Sequence, residues 1–452
     1  MSELFDFLKY CLGAKSDVNK MIAGIDWQML YSFASKQALL GLCFDGIERL
    51  GKEYPEELKL NPIGRELLMT WMGKAQQIRR QNMKVNLVAS KLYSMFREDG
   101  LRCCILKGQG NALMYPNAYS RNPGDIDVWV NASREYLTEY AKCHFKLEDD
   151  IRFHHLETTM DGVPVELHFF PCIMNNPIYN ARLQKWFKRN ADLQCSNVVS
   201  LPDGIGEIAI PTTAFNVIYQ LCHLYHHFFD EGIGMRQIID YFLVVNDFSK
   251  NVFLNNDLSN HPVNFSNHPV PLSKEGSTFS PSPSSSGSGD VTAPSRCSEP
   301  LRSKDGGPSK VSPDCAGWDR LAIEGDNSAT AVTSSASTAL VVVQRELKYL
   351  GLWKFAGAVM YVLHKALGLP EEKMIAPMDE KRGKLLLAEI LNGGNFGKHF
   401  TKYGHFTQQG MAKKYFLKIW RNMHFVRYFP AEALSEPIFR TLHFFWRLKH
   451  RR

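Results

Sequence analysis

Residues 104–130 read CILKGQGNALMYPNAYSRNPGDIDVWV and concentrate groups able to handle phosphate and metal ions. Asp125 and Asp127 are separated by one residue. The alternation of DIDVWV puts both on one face of a strand, with Ile126 and Val128 turned to the core. Two adjacent carboxylates repel unless a cation holds them. Hard divalent cations such as Mg²⁺ take oxygen ligands, often a couple of carboxylates plus substrate phosphates. A third acid completes such a set best from a neighbouring strand, and Glu166 in VPVELHFF has the apolar flanks for it. The alternative for Glu166 is a cross-strand partner for a basic side chain. Lys107-Gly108 closes the apolar run LRCCIL. A glycine there admits a ligand close to the backbone, and the amides that open the next helix suit phosphate oxygens. Lys107 either neutralises phosphate or is a strand-end charge. Arg121 either forks onto phosphate or forms a salt bridge that orients Asp125. Lysine, arginine, three strand acids and a glycine turn together fit phosphoryl or nucleotidyl transfer.

Other chemistry-bearing residues read more plainly. His223 and His227 in HLYHHFFDEG are four apart and share a helix face with zinc-like spacing, but HExxH is absent because Leu224 follows His223. With His226 they read as a polar lining of the cleft or as core histidines. His168, two residues after Glu166, shares its strand face and is expected to support the ligands from behind, as is Gly124. Arg236 and Asp240, at i and i+4, read as an ion pair on one helix face.

The elements that position these groups follow from periodicity. Residues 1–98 carry apolar positions at helical spacing, with Ser16 or Asp26 as a cap and Asp99-Gly100 as a stop. The period then changes: LRCCIL and DIDVWV read as strands, and SREYLTEYAKC as a helix capped by Ser133. FKLEDD, HHLETTM and VPVELHFF read as further extended segments, the last two joined by the hairpin signal Asp161-Gly162. Residues 99–172 therefore form a mixed α/β unit, and 173–250 return to helices. Residues 251–338, with SNHPV at 259–263 and 266–270 and a Ser/Pro/Gly-rich stretch, are expected to be a disordered insertion. Residues 339–452 are helical again and end in interleaved basic and aromatic residues. That tail is either a Phe/Trp core with snorkelling cations or a surface for an anionic membrane or RNA. The fold class expected is α+β: a small mixed sheet framed by N- and C-terminal helical regions.

Composition sets the outer limits. The chain has 452 residues, 44% of them hydrophobic and 12% aromatic, which suffices for a substantial core in two to four structural units. The net charge of +7 suits an anionic ligand without implying nucleic acid. The ten cysteines are scattered, with no CxxC pair and no zinc block. The first residues lack a signal-peptide pattern, and no run approaches the ~20 apolar residues of a membrane span. The expectation is a reduced, cytosolic protein.

The order LKG, MYP, Arg, GDIDVWV, VELH, a histidine-rich helix and MRQIIDY resembles the DNA polymerase β-like nucleotidyltransferase superfamily. More narrowly, it resembles the bacterial uncharacterised nucleotidyltransferase family, over roughly residues 30–250 and again after the insertion to about 440. The resemblance implies two Mg²⁺ ions held by Asp125 and Asp127, with Glu166 as third acid. It also implies a nucleoside triphosphate seated on Lys107, Gly108, Gln109 and Gly110 with Arg121. An acceptor hydroxyl, on a small molecule, protein or RNA, would attack the α-phosphorus and pyrophosphate would leave. The chain departs from the superfamily at Gln109, where a second small residue is usual; the lysine-type turn also occurs in toxin-like members. Three functions follow: nucleotidyl transfer to an unidentified hydroxyl, toxin-like transfer to tRNA or protein, and nucleotide binding without turnover.

Overall fold

The computed structural model describes residues 2–15, 17–147, 152–257, 332–399 and 411–450. Ser16 and most of the expected insertion, including both SNHPV repeats, lie outside the described residues, as do 148–150 of the FKLEDD segment and Ile151.

The N-terminal helices are α1 (Ser2–Cys11), α2 (Val18–Gly24), α3 (Trp27–Lys36), α4 (Leu40–Glu53), α5 (Pro55–Leu60) and α6 (Arg65–Glu98). Asp26 caps α3 by accepting from the Met29 amide, and Asp17 caps α2 through Lys20. α6 ends where the sequence predicts: Asp99 follows its last residue, Gly100 takes φ +74°, and the Leu101 amide closes the turn onto Phe96 O at 2.8 Å. Asn82, buried in mid-α6, donates to the carbonyls of Tyr119 and Arg121 at 2.9 and 2.7 Å. The helix thus fixes the loop that leads into the aspartates.

The sheet is built from β1 (Cys103–Leu106), β2 (Ile126–Val130), β3 (His155–Met160) and β4 (Val163–His168). A short α7 (Gly108–Ala112) follows β1, and α8 (Arg134–His144), capped by Ser133, follows β2. The strand order is β1-β2-β4-β3, with β2 parallel to β4 and the outer pairs antiparallel. Asp161 and Gly162 both take positive φ (51° and 74°), as a two-residue hairpin turn requires. The described residues of FKLEDD contribute an isolated bridge, Leu147 to Thr158.

Alternation sorts the strand side chains into two faces. Ile126, Val128, Val130, Val163, Val165, Leu167 and Leu156 pack with Val88, Leu92 and Phe96 of α6 and Leu137 of α8. Asp127, Glu166, His168, His155 and Glu157 occupy the opposite positions of their strands. Trp129, also on that side, stacks on Phe215 (centroids 6.1 Å apart, planes at 13°). This stack ties the sheet to the larger helical core of α9 (Pro177–Ser196) and α10 (Thr213–Asp230).

Between α9 and α10 the chain forms an antiparallel pair, β5 (Val198–Ser200) and β6 (Glu207–Ala209), inside a span expected to be a helical region. Three-residue strands are too short to show a period. α11 (Met235–Asp257) runs past residue 250, and α12 (Val332–Tyr349) begins before 339, so helix enters the expected insertion from both sides. α13 (Trp353–Leu367), α14 (Glu380–Gly393), α15 (Met411–Met423) and α16 (Pro430–His450) complete the C-terminal region. No helix among the described residues is long and apolar enough to cross a membrane.

Candidate active site

The β2/β4 register sets Asp127 directly opposite Glu166 on adjacent parallel strands. Asp127 is 6% exposed and its Oδ1 accepts from Lys107 Nζ and from His168 Nε2, each at 3.0 Å. Burial would raise the Asp127 carboxyl, but the Lys107 ammonium and the His168 hydrogen bond hold it well below the usual carboxylate range. His168 Nε2 also lies 3.2 Å from Glu166 Oε2. Burial works against a charge on His168, yet its two carboxylate partners push it up to about 9. Glu166 is likewise opposed by burial and lowered chiefly by His168.

Asp125, one residue before β2, stands at the solvent edge of the site. The protein packed around it, then the charges of Asp127 and Glu166, push its carboxyl up to about 6. That is the mark of more negative charge than the local cations balance. Among the described residues, Asp127, Glu166 and His168 have ligand atoms all within 4.8 Å of one another; Asp125 belongs to no such cluster. A buried and a half-buried carboxylate in register, and a third whose ionisation burial and then both of them oppose, are a donor set that fits a hard divalent cation.

Lys107 is the N-cap of α7 with φ 52° and ψ −123°, a conformation that costs a non-glycine residue on the order of 1–3 kcal/mol. The strained backbone aims its ammonium at Asp127 and at His223 Nε2, 2.8 Å away on α10. Burial and Lys107 hold His223 well below its ordinary value, so it is the neutral acceptor that a lysine requires. Gly108 leaves open space, with only Asp125 O at 3.9 Å from where a Cβ would stand.

The rest of the predicted triphosphate cradle faces elsewhere. The Gln109 amide is buried and donates to Asn86 of α6. A Cβ on Gly110 would meet Ile210 at 2.9 Å, so that glycine serves packing. Arg121 neither reaches Asp125 nor opens to a ligand: its Nε and Nη2 form a buried fork onto Asp240 of α11 at 2.9 and 2.8 Å. The expected Arg236–Asp240 pair is therefore replaced. Arg236 instead donates to Asn122 O at 3.0 Å, passes beneath the Phe396 ring (5.5 Å) and stands 3.9 Å from where a Gly124 Cβ would be. Its Nε is buried with no hydrogen-bond partner. Nothing in the local pattern announces Arg236, because an i,i+4 acid on its own helix is the obvious partner.

β3 adds His155 and Glu157, which the sequence shows only as alternate residues of a strand. His155 Nε2 lies 3.2 Å from Glu157 Oε1, and its Nδ1 lies 3.4 Å from Glu166 Oε2. On α10 the His226 ring lies 6.2 Å from His154, and the His227 ring lies 4.3 Å from His223. In the basic-aromatic tail Phe425 and Phe429 are buried, while Lys418 and Arg440 pair with Asp230 at 2.8 Å and Arg421 lies 3.6 Å from Glu389. Its exposed side chains include Ile438, Leu442 and Phe445.

Comparison with protein families adds one match: the model described as "uncharacterised nucleotidyltransferase" aligns with residues 23–259. This chain belongs to the uncharacterised nucleotidyltransferase family. The matched span contains every strand of the sheet and α10 and α11, and it ends at 259 rather than resuming in the C-terminal helices. Searches of curated proteins and of solved structures return no match. Family membership supports a transferase of the nucleotidyl class, whose substrate is a nucleoside triphosphate.

Proposed function

We propose that this nucleotidyltransferase-family protein moves a nucleoside monophosphate from a nucleoside triphosphate to a hydroxyl acceptor, with Mg²⁺ held by Asp125, Asp127 and Glu166. The observation that carries the reading is the opposed pair Asp127/Glu166 at the mouth of a parallel strand pair, with Asp125 beside it and Lys107 reaching in. When bound, the two ions would screen the triphosphate and favour attack at the α-phosphorus. Asp127 stays deprotonated and ready to ligate because Lys107 and His168 stabilise its charge. Lys107 shifts from Asp127 to the phosphates, and the open backbone at Gly108 lies along them. Arg236, rather than Arg121, supplies the guanidinium. The acceptor oxygen bonds to the α-phosphorus, the α–β anhydride bond breaks, and pyrophosphate departs. Buried thiols that pack as apolar groups suit a cytosolic setting.

The test is to incubate the protein with Mg²⁺, cell extract and each of the four nucleoside triphosphates labelled at the α-phosphate. One nucleotide should label a discrete product with release of pyrophosphate, and Asp127→Asn should reduce both by at least about a hundredfold. Label on tRNA or protein would place the acceptor in the toxin-like class. Absence of label and pyrophosphate with all four nucleotides overturns the reading.

A further inference from the structure

The histidines beside the acidic pair outnumber what nucleotidyl transfer uses. His154, His155 and His168 have ligand atoms within 4.8 Å of one another. Their ring centroids lie 4.3 Å (His154–His155), 5.0 Å (His155–His168) and 5.6 Å (His154–His168) apart. The chain continues to His226, 6.2 Å from His154, and then to His227.

Hydrogen bonding on the outer nitrogens decides what the inner ones present. His168 Nδ1 lies 3.2 Å from Phe170 O, and a carbonyl can only accept, so that nitrogen carries the proton. Nε2, which donates to Asp127 and lies beside Glu166, becomes a ligand by releasing its own proton as the metal binds. His155 Nε2 faces the Glu157 carboxylate, itself 3.1 Å from Arg152 Nε. This fixes the Nε2–H tautomer and leaves His155 Nδ1 as a buried lone pair without a hydrogen-bond partner, 3.4 Å from Glu166 Oε2. The His155 Nδ1 lone pair faces a carboxylate, a contact that is repulsive unless something positive lies between them. A carboxylate or carbonyl on the far nitrogen of each imidazole is the arrangement that orients metal-binding histidines.

We propose that His154, His155 and His168 form a nitrogen-rich site for a divalent transition-metal cation of the zinc class, abutting the oxygen-lined Asp125/Asp127/Glu166 set and sharing Glu166 with it. Imidazole selects zinc, cobalt or nickel over magnesium, which keeps to oxygen. Glu166, within 3.4 Å of both His155 and His168 nitrogens, is placed to be the fourth ligand. The His226 and His227 Nδ1 atoms, buried without hydrogen-bond partners, border the same space.

The test uses the full chain, stripped of metal by a chelator and titrated with Co²⁺ in the absence of nucleotide. Visible ligand-field bands of a tetrahedral site should saturate at one equivalent, disappear on adding Zn²⁺ and survive a large excess of Mg²⁺. His154→Ala and His155→Ala should each weaken Co²⁺ binding at least about tenfold, while Asp125→Asn leaves the bands in place. Should the histidine variants fail to fold, X-ray absorption at the zinc edge of the wild-type protein decides, with imidazole scattering expected. A shell of oxygen alone, bands displaced by Mg²⁺, or bands indifferent to both histidine substitutions overturns the site. Because no nucleotide is present, Co²⁺ binding without pyrophosphate release would refute nucleotidyl transfer and leave this site standing. Pyrophosphate release without Co²⁺ binding would do the reverse.

Discussion

Arg121 and Arg236 show what a residue's type cannot reveal. Both are arginines near a carboxylate, and either could fork onto phosphate. Arg121 is instead satisfied by Asp240, 119 residues away in the chain, and no local spacing reports such a distance. Lys107, Asp127 and Glu166 were legible because strand alternation and a strand-end glycine are local properties. Arg236 keeps its charge aimed at the loop before Asp125, with burial and Arg121 lowering its proton affinity without neutralising it. Replacing Arg236 by Lys retains charge and loses the fork. The expected outcome in steady-state kinetics is a KM for the nucleotide raised about tenfold with a smaller change in kcat. An unchanged KM would remove Arg236 from the substrate site.

At the scale of elements, the hairpin β3–β4 could be read from Asp161-Gly162, and α6 from its period and its stop. The parallel pairing of β2 with β4 could not be read directly, since it depends on the α8 crossover bringing distant strands together. The pairing still sets the site, because it alone decides that Asp127 meets Glu166. The β5–β6 pair escaped notice because Gly206, whose φ is +139° and which passes against Ser90, looks like ordinary loop. Between elements, the Arg121–Asp240 fork fastens the pre-β2 loop to α11, and the Tyr115 hydroxyl donates to the same carboxylate at 2.8 Å. Asp240→Asn leaves a buried guanidinium uncompensated and should destabilise the fold by about 3–5 kcal/mol in denaturant unfolding. An effect below about 1 kcal/mol would mean that the fork contributes little.

Across the whole molecule, the C-terminal helices brace the site from behind. Lys418 and Arg440 hold Asp230 at the end of the histidine-bearing α10. Glu432 of α16 accepts the amides of Asn175 and Asn176, just beyond β4, at 2.6 and 3.2 Å. Burial pushes the Glu432 carboxyl up to about 7 from an ordinary 4.5, against those amides and with Glu436 adding to the rise. A raised value means the folded state holds the proton more tightly. The Glu432 contribution is thus fully present below pH 4.5 and is lost as pH rises to about 7, on the order of 3 kcal/mol in all. Stability curves of wild type and Glu432→Gln should diverge across that window, the variant gaining relative to wild type as pH rises. Parallel curves would contradict the buried, protonated carboxyl. These brace residues lie beyond the family match, which ends at 259, so the chain closes its site with a region that the match does not cover. The central claim is that Asp127 and Glu166 hold divalent metal for a triphosphate. Calorimetric titration of nucleoside triphosphates with and without Mg²⁺ tests it most directly. The account predicts Mg²⁺-dependent binding by wild type that Asp127→Asn and Glu166→Gln abolish while circular dichroism stays native; binding that ignores Mg²⁺, or survives both substitutions, would contradict it.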